Sequence, residues 1–384
     1  MVQRATDSLE PWNISEDEFP KDGLMYDKLK FFLRYAILAP SIHNTQPWAF
    51  RISSNNIIEL YADKKRSLPV LDPIGRQLII SCGTALGYLQ VTISHFGYKY
   101  KTELLPTTDD GKQNHKHLLA KIGIDSNSSN SFNDNNDKIQ ECNNIKVNSL
   151  QKEDNDRLFE AIPKRGTNRF KFDDRNIPDI LVAGFYYIIK KYPQYQEQQE
   201  QQEDPIWLHI ADEIDNKNAL AELVARGSHI LYSDKHFTRE LIKWTSLNKS
   251  GGGKRGSMSR HTFGITNFIS KVNPYLQISR KQEGKDYKLA ATSSALAILG
   301  TYSDGQLDWI NTGLALTNIL LLARSENVSC SFLNQPIQVP NLRPKLLDVI
   351  RKEKGFPQIL LGMGYSRHEI EPSPRRGIEE VLLH

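Results

Sequence analysis

The segment between Pro40 and Pro47 is dense in side chains that form hydrogen bonds. Its six residues carry two hydroxyls, an imidazole and two carboxamides. Groups of this kind present alternating donors and acceptors, which suit the edge of a flat heterocycle. The same residue types favour turns for purely local reasons, so a capped turn is the competing interpretation. The candidate binding residues in this segment are Ser41, His43, Asn44 and Gln46.

Regular secondary structure is predicted on both sides of this segment. Before it, the apolar residues Leu29, Phe32, Leu33, Ala36 and Ile37 have the spacing of a helix with one buried face. Pro40 ends that helix, because the residue before a proline disfavours the helical region. After it, residues 48–52 and 57–61 flank a Ser-Ser-Asn-Asn turn and predict a hairpin. The polar segment is therefore expected to connect a helix to a strand.

The pattern Pro-Ser-x-x-Asn-x-Gln-Pro-Trp after a first helix resembles the flavin-binding loop of the FMN-dependent nitroreductase superfamily. With His43 directly before Asn44, it is similar to the Acg-type branch of that superfamily. The resemblance implies FMN as cofactor and NADH or NADPH as reductant. It places Ser41 and Asn44 at the flavin edge, with Gln46 close behind. His43 would either stabilise the loop or donate a proton near the substrate.

The resemblance also identifies residues for the phosphate of FMN. Guanidinium groups bind phosphate through charge-assisted hydrogen bonds, each worth roughly 1.5–3 kcal/mol. Taken alone, an exposed basic turn and a charged tail explain the same arginines more simply. The residues that match the family's phosphate signature and its C-terminal basic pair are Arg165, Gly166, Thr167, Arg169, Arg375 and Arg376.

Three further residues are placed by their position in the chain. Asn334 and Gln335 follow the second long apolar helix, where the family brings a backbone N–H to flavin N5. Arg76 lies where a cation could face the ring, and a positive group there would stabilise a reduced anionic flavin. No catalytic acid or nucleophile is predicted, because the chemistry would occur at flavin N5; His43 is the one candidate for a catalytic role.

Composition argues against several other classes of protein. The net charge is +4 over 384 residues, and the basic residues are scattered, which does not suggest a nucleic-acid partner. No apolar run is long enough for a membrane span, and the N-terminus has no apolar signal core. Three distant cysteines and an isolated His-x-His at 115–117 indicate neither a disulfide framework nor a metal site. A cytoplasmic protein is expected.

The order of predicted elements repeats along the chain. Gly83-x-Ala-Leu and Gly313-x-Ala-Leu lie in two long apolar helices, and residues 46–52 align with 204–210 without a gap. An accidental match of two apolar helices is the alternative. The expected fold is α+β and nitroreductase-like, with two diverged tandem halves forming a pseudo-dimer around long central helices. The expected division is an arm at 1–23, a first half at 24–153 and a second half at 154–384.

The two halves differ in what they retain. The first half has the candidate loop for the flavin ring, residues 41–46 (the ring loop), and no counterpart of Arg-Gly-Thr-Asn-Arg. The second half has that arginine motif, but a Gln/Glu run at 196–204 occupies the position expected for its ring loop. One FMN per chain is therefore predicted. A Gly- and Ser-rich segment at 245–264 is interpreted as a lid over the flavin.

Two functions remain open at this stage. The first is an NAD(P)H-dependent oxidoreductase that reduces a nitroaromatic or quinone acceptor. The second is a non-catalytic protein that stores, scavenges or senses FMN, with the lid excluding the nicotinamide. The chain is expected to be a monomer with a pseudo-dimeric fold or to pair further as a homodimer.

Overall fold

A computed structural model describes residues 9–105, 115–125, 154–191, 205–247 and 274–383. The described chain contains two four-stranded antiparallel sheets, one built before residue 126 and one built after residue 204. The N-terminal part of the predicted lid, to residue 247, is helical, and residues 248–264 lie outside the described residues, as does the Gln/Glu run. The predicted boundary between residues 153 and 154 stays a prediction, because residue 153 also lies outside them.

The first half begins with a helix and ends with a sheet. Its elements are α1 (Met25–Ala36), β1 (Trp48–Ser53), β2 (Ile57–Asp63), α2 (Arg76–His95), β3 (Tyr100–Leu104) and β4 (Lys116–Ile124). The predicted hairpin forms, with Trp48 opposite Ala62 and a turn in which Asn55 and Asn56 have positive φ. Asparagine tolerates that region better than most residues, which is why the turn is tight here.

The second half contains more helices. Its elements are α3 (Asp179–Lys191), β5 (Ile206–Ala211), α4 (Ile214–Ser233), α5 (Lys235–Leu247), α6 (Pro274–Ala291), β6 (Ala295–Thr301), α7 (Gln306–Ser325), β7 (Ser329–Phe332), α8 (Gln335–Gln338), α9 (Lys345–Val349), β8 (Phe356–Gly364) and α10 (Ile378–Val381). Residues 154–161, which precede the candidate phosphate motif, are also helical. The aligned segment at 204–210 contributes to β5, and the second long apolar helix forms as α7, whereas α5 and α6 were not predicted.

Both sheets have the same topology. The first has the order β1-β2-β4-β3 and the second β5-β6-β8-β7, and each long helix follows the second strand of its half. The expected α+β fold with two tandem halves is thereby confirmed. The principal difference is the connection between the first two strands, a turn at residues 54–56 in one half and the insertion that contains α4, α5 and α6 in the other.

The helices α2 and α7 pack against each other at the centre of the chain. A Cβ added to Gly83 would lie 2.4 Å from the Ile310 carbonyl oxygen, and one added to Gly313 would lie 2.3 Å from the Ile80 carbonyl oxygen. Only glycine allows backbones to approach this closely. The repeated Gly-x-Ala-Leu therefore marks the point where the two halves meet. By length and composition α2 could span a membrane, but 83% of its apolar window is buried inside this fold.

The C-terminal tail of the second half returns to the first half. Leu382 forms a parallel bridge with Phe50, and Lys30 pairs with Glu379 at 2.6 Å. The described part of the predicted N-terminal arm also packs there, since Trp12 Nε1 donates to the Ser373 carbonyl at 2.7 Å. The tail of the second half therefore covers part of the surface of the first half.

Candidate functional site

The polar loop after α1 is held in an unfavourable backbone conformation. His43, Asn44 and Gln46 have φ values of 45°, 55° and 49°. Each non-glycine residue in this region costs about 1 kcal/mol or more, so the surroundings must stabilise the shape. Inside the loop, Gln46 N–H donates to Ser41 Oγ at 2.9 Å, and at its base Ile42 N–H donates to Ser81 Oγ of α2 at 3.3 Å.

The C-terminal tail stabilises this loop from outside. Arg375 Nη1 donates to Asn44 Oδ1 at 3.0 Å, and the Arg376 backbone N–H donates to Gln46 Oε1 at 2.8 Å. Asn44 Nδ2 donates in turn to the Pro374 carbonyl at 2.9 Å. Both carboxamides of the loop therefore form hydrogen bonds with the tail, which helps to stabilise the loop conformation.

A cavity of about 450 Å³ opens between the halves, within the size range of small-molecule sites. It brings together nine of the residues predicted from the sequence: Ser41, His43, Asn44, Arg165, Thr167, Arg169, Asn334, Gln335 and Arg375. The loop of the first half and the arginine motif of the second therefore line one space.

Four residues considered from the sequence lie outside the cavity lining. Gln46 is 2% exposed and bonds to the tail, and Arg376 donates through Nη1 to the carbonyls of Gln46 and Trp48. Gly166 faces Ile370, whose Cγ2 would lie 2.3 Å from an added Cβ. Arg76 is also absent from the lining, because its Nη1 donates to the backbone and side-chain oxygens of Gln358. Of these, Gln46 and Arg376 form hydrogen bonds around the loop that lines the cavity.

The cavity is strongly positive. Among the described residues, six cationic side chains and one carboxylate line it. Burial, with the nearby Arg165 guanidinium as the next cause, lowers the pKa of Arg375 to about 9. Two buried guanidinium groups that repel each other favour an anion between or beside them.

Several buried nitrogen atoms at the site could each donate a further hydrogen bond. Within the described part of the chain, Arg165 Nε, Arg375 Nε and Gln77 Nε2 are buried and have no hydrogen-bond partner. Arg165 does hold the motif together, since its Nη1 donates to Thr167 Oγ1 at 3.2 Å. A buried N–H donor without an acceptor destabilises the folded protein, so a ligand rich in hydrogen-bond acceptors would stabilise this site.

His43 is uncharged at neutral pH. Burial is the main cause that lowers its pKa, to about 4, and the Arg169 guanidinium adds to the effect. Burial also lowers the pKa of Arg169, whose side chain is nevertheless accessible from the cavity. The ring of His43 lies 6.3 Å from that of Phe237 on α5. A neutral imidazole adds no charge to the cavity.

The insertion supplies a wall that sequence reasoning missed. Leu231, Tyr232, Phe237 and Leu241 form its apolar part, and α6 adds Gln282, Lys285, Asp286, Lys288 and Leu289. The spacing of the α6 residues is that of one helix face, which is the signal that could have indicated them. Their approach to the loop depends on the tertiary fold.

A buried carboxylate anchors this wall. Asp286 is 6% exposed and accepts hydrogen bonds from Ser228 Oγ at 2.6 Å, Gln282 Nε2 at 2.9 Å and Gln335 Nε2 at 3.0 Å. Burial raises the pKa of Asp286, and the three donors oppose that shift. Gln335 is thus fixed by the insertion, while Asn334 Oδ1 accepts from Leu360 N–H at 2.8 Å.

Comparison with known proteins finds relatives that match nearly the full length of the chain. No protein-family model matches the chain. The chain is 25% identical over 360 residues to a "Putative NAD(P)H nitroreductase" of Mycobacterium tuberculosis, covering 93% of this chain and 91% of that protein. It is 23% identical over 377 residues to "Putative NAD(P)H nitroreductase acg" of the same organism, covering 94% and 97%.

The predicted resemblance to Acg-type nitroreductases is confirmed. It extends over more than nine-tenths of the chain. Among solved structures, the FMN-dependent nitroreductase NfnB of Mycobacterium smegmatis, in complex with NADPH, is 11% identical. The superposition of the two structures has a TM-score of 0.39 and covers 59% of this chain and 96% of NfnB.

Proposed function

We propose that this protein binds one FMN in the cavity between its halves and acts as an NAD(P)H-dependent oxidoreductase. The observation that carries the proposal is that the loop at 41–44 and the motif at 165–169 line a single cavity. Relatives of nearly full length bear the name NAD(P)H nitroreductase, which supports the same reaction class.

The residues present fit FMN. Its phosphate carries nearly two negative charges, and the cavity offers three arginines, two of which have a buried Nε without a partner among the described residues. Arg165, Thr167 and Arg169 would hold the phosphate. Ser41 and Asn44 would face the ring edge, and each amide of this loop keeps its orientation because the tail bonds to it.

When bound, FMN would accept a hydride from NADH or NADPH and pass electrons to a nitroaromatic or quinone acceptor. The chain's own part is to bind, to orient and to exclude water. The apolar wall from the insertion, with Phe237 and Leu241, narrows the space on one side of the loop. His43 stays neutral there, so it neither repels a cationic nicotinamide nor attracts the phosphate.

The absorbance spectrum of the purified protein is the first test. A yellow protein with one FMN per chain is expected, and anaerobic addition of NADH or NADPH should bleach it. Aerobic turnover with a nitroaromatic or quinone acceptor should follow. A colourless protein that ignores added FMN would overturn the proposal, and a yellow protein bleached by dithionite alone would indicate FMN storage instead.

A further inference from the structure

The cavity carries more positive charge than one FMN phosphate requires. Beside its three arginines, it is lined by Lys171, Lys285 and Lys288. Within the described ranges, none of these three lysines forms an ion pair. A phosphate monoester contributes at most about two negative charges, so several cations would remain unmatched after FMN has bound.

Two of these lysines form a short stripe on one helix. Lys285 and Lys288 are three positions apart on α6, which places them on the same face. Lys285 is partly buried and Lys288 is exposed, so the stripe runs from the cavity toward solvent. Lys281 lies one turn earlier, is exposed and does not line the cavity.

The neighbouring carboxylate does not neutralise this stripe. The oxygens of Asp286 accept hydrogen bonds from Ser228, Gln282 and Gln335. The pKa of Lys285 is lowered by burial and next by the charge of Lys281, whereas Asp286 only partly compensates. The stripe therefore presents positive charge, only partly compensated by Asp286, to a ligand that enters the cavity.

We propose that Lys285 and Lys288, together with Lys171, recognise the 2′-phosphate of NADPH and so select NADPH over NADH. This assignment rests on the proposed function and deepens it. The two dinucleotides differ only in that phosphate monoester, so discrimination depends on the groups that meet it, and cations there favour NADPH. Lysine suits the task, because its flexible ammonium is a point charge that can follow a phosphate.

The phosphate of FMN is a second phosphate monoester that these lysines could bind. If the lysines served that group, removing them would release the flavin. The stripe belongs to the insertion, whereas the candidate FMN phosphate residues belong to the motif at 165–169. FMN content therefore separates the two assignments.

The test compares FMN-loaded wild type with K285Q/K288Q and with K281Q, the matched control on the same helix. Calorimetric titration uses adenosine 2′,5′-bisphosphate and, for comparison, 5′-AMP. We expect the bisphosphate to bind more tightly than AMP in wild type and K281Q, and to weaken by about tenfold or more in the double variant. The half-saturating NADPH concentration for anaerobic flavin reduction should rise by the same factor, with that for NADH unchanged.

Three results would overturn the assignment: equal binding of both nucleotides in wild type, unchanged bisphosphate binding in K285Q/K288Q, or loss of FMN from that variant. Should the double variant fail to fold, the exposed K288Q alone is measured and should show part of the loss. If bisphosphate binding follows the expected pattern while neither dinucleotide bleaches the flavin, the lysine assignment stands and the proposed oxidoreductase function fails.

Discussion

The side-chain oxygen of Asn44 accepts a hydrogen bond from Arg375 Nη1 at 3.0 Å, although 331 positions separate the two residues. Asn44 uses one of its two N–H groups on the Pro374 carbonyl, so one N–H and one lone pair remain for a ligand. The tail of the second half thus fixes the candidate ring loop of the first. Arg375, predicted for the phosphate, also has a structural task in the ring loop.

Removing the tail contact at Gln46 should destabilise the protein. In Gln46→Ala the backbone still has an unfavourable positive φ at this position. The Arg376 N–H, however, loses the Gln46 Oε1 atom that accepts its hydrogen bond at 2.8 Å. We expect the free energy of unfolding of the ligand-free protein to fall by about 1–3 kcal/mol, measured by urea denaturation. Gln90→Ala, which removes a half-buried bond to Thr102, is the control and should cost less. Equal losses would contradict a special role for the tail.

The Arg165 guanidinium should contribute strongly to FMN affinity. Arg165→Ala removes a buried cation, and we expect the FMN dissociation constant to rise about 10- to 100-fold, measured by flavin fluorescence quenching. Arg157→Ala is the control, because Arg157 is exposed and pairs with Glu326 at 3.0 Å outside the cavity. Unchanged affinity in Arg165→Ala would exclude this residue from the phosphate site.

Replacing the glycine at the crossing of α2 and α7 should destabilise the protein. Gly83→Ala would normally favour a helix by about 1 kcal/mol, but the new Cβ would meet the Ile310 backbone at 2.4 Å. We expect a net loss of about 1–3 kcal/mol in thermal or urea unfolding. Gly284→Ala on α6 is the matched control, since nothing lies within 4 Å of its Cβ position and the substitution should stabilise. A stabilising Gly83→Ala would refute the close crossing.

His43 should make stability depend on pH. Its pKa of about 4 in the folded protein lies below the ordinary 6.5, so the unfolded chain binds the extra proton between these values. The stabilising contribution is complete above pH 6.5 and is lost as the pH falls toward 4, by at most about 3 kcal/mol. The unfolding free energy of the wild type relative to that of His43→Asn, in which asparagine tolerates the positive φ, should decrease as the pH falls from 6.5 toward 4. Parallel pH profiles would contradict the assignment.

The sequence alone determined the local elements and the repeat. Period-two and period-3.6 patterns, prolines and Asn-rich turns fixed the hairpin at 48–63 and the helices α2 and α7, because these signals act over a few residues. The motif around Asn44 and the motif around Arg165 were recognisable for the same reason. Both could be named as candidates before any contact between them was known.

Only the tertiary structure decided which of these residues meet. Arg375 reaches Asn44, and Lys285 reaches the cavity, through contacts between segments far apart in the chain. The wall from α4 to α6 was missed because its residues have the spacing of ordinary helix faces, and no local signal shows that they pack over the loop. Gln46, Gly166 and Arg376 share motifs with cavity residues yet point elsewhere. Burial and side-chain direction, which decide that, are properties of the packed fold and are not encoded in local spacing.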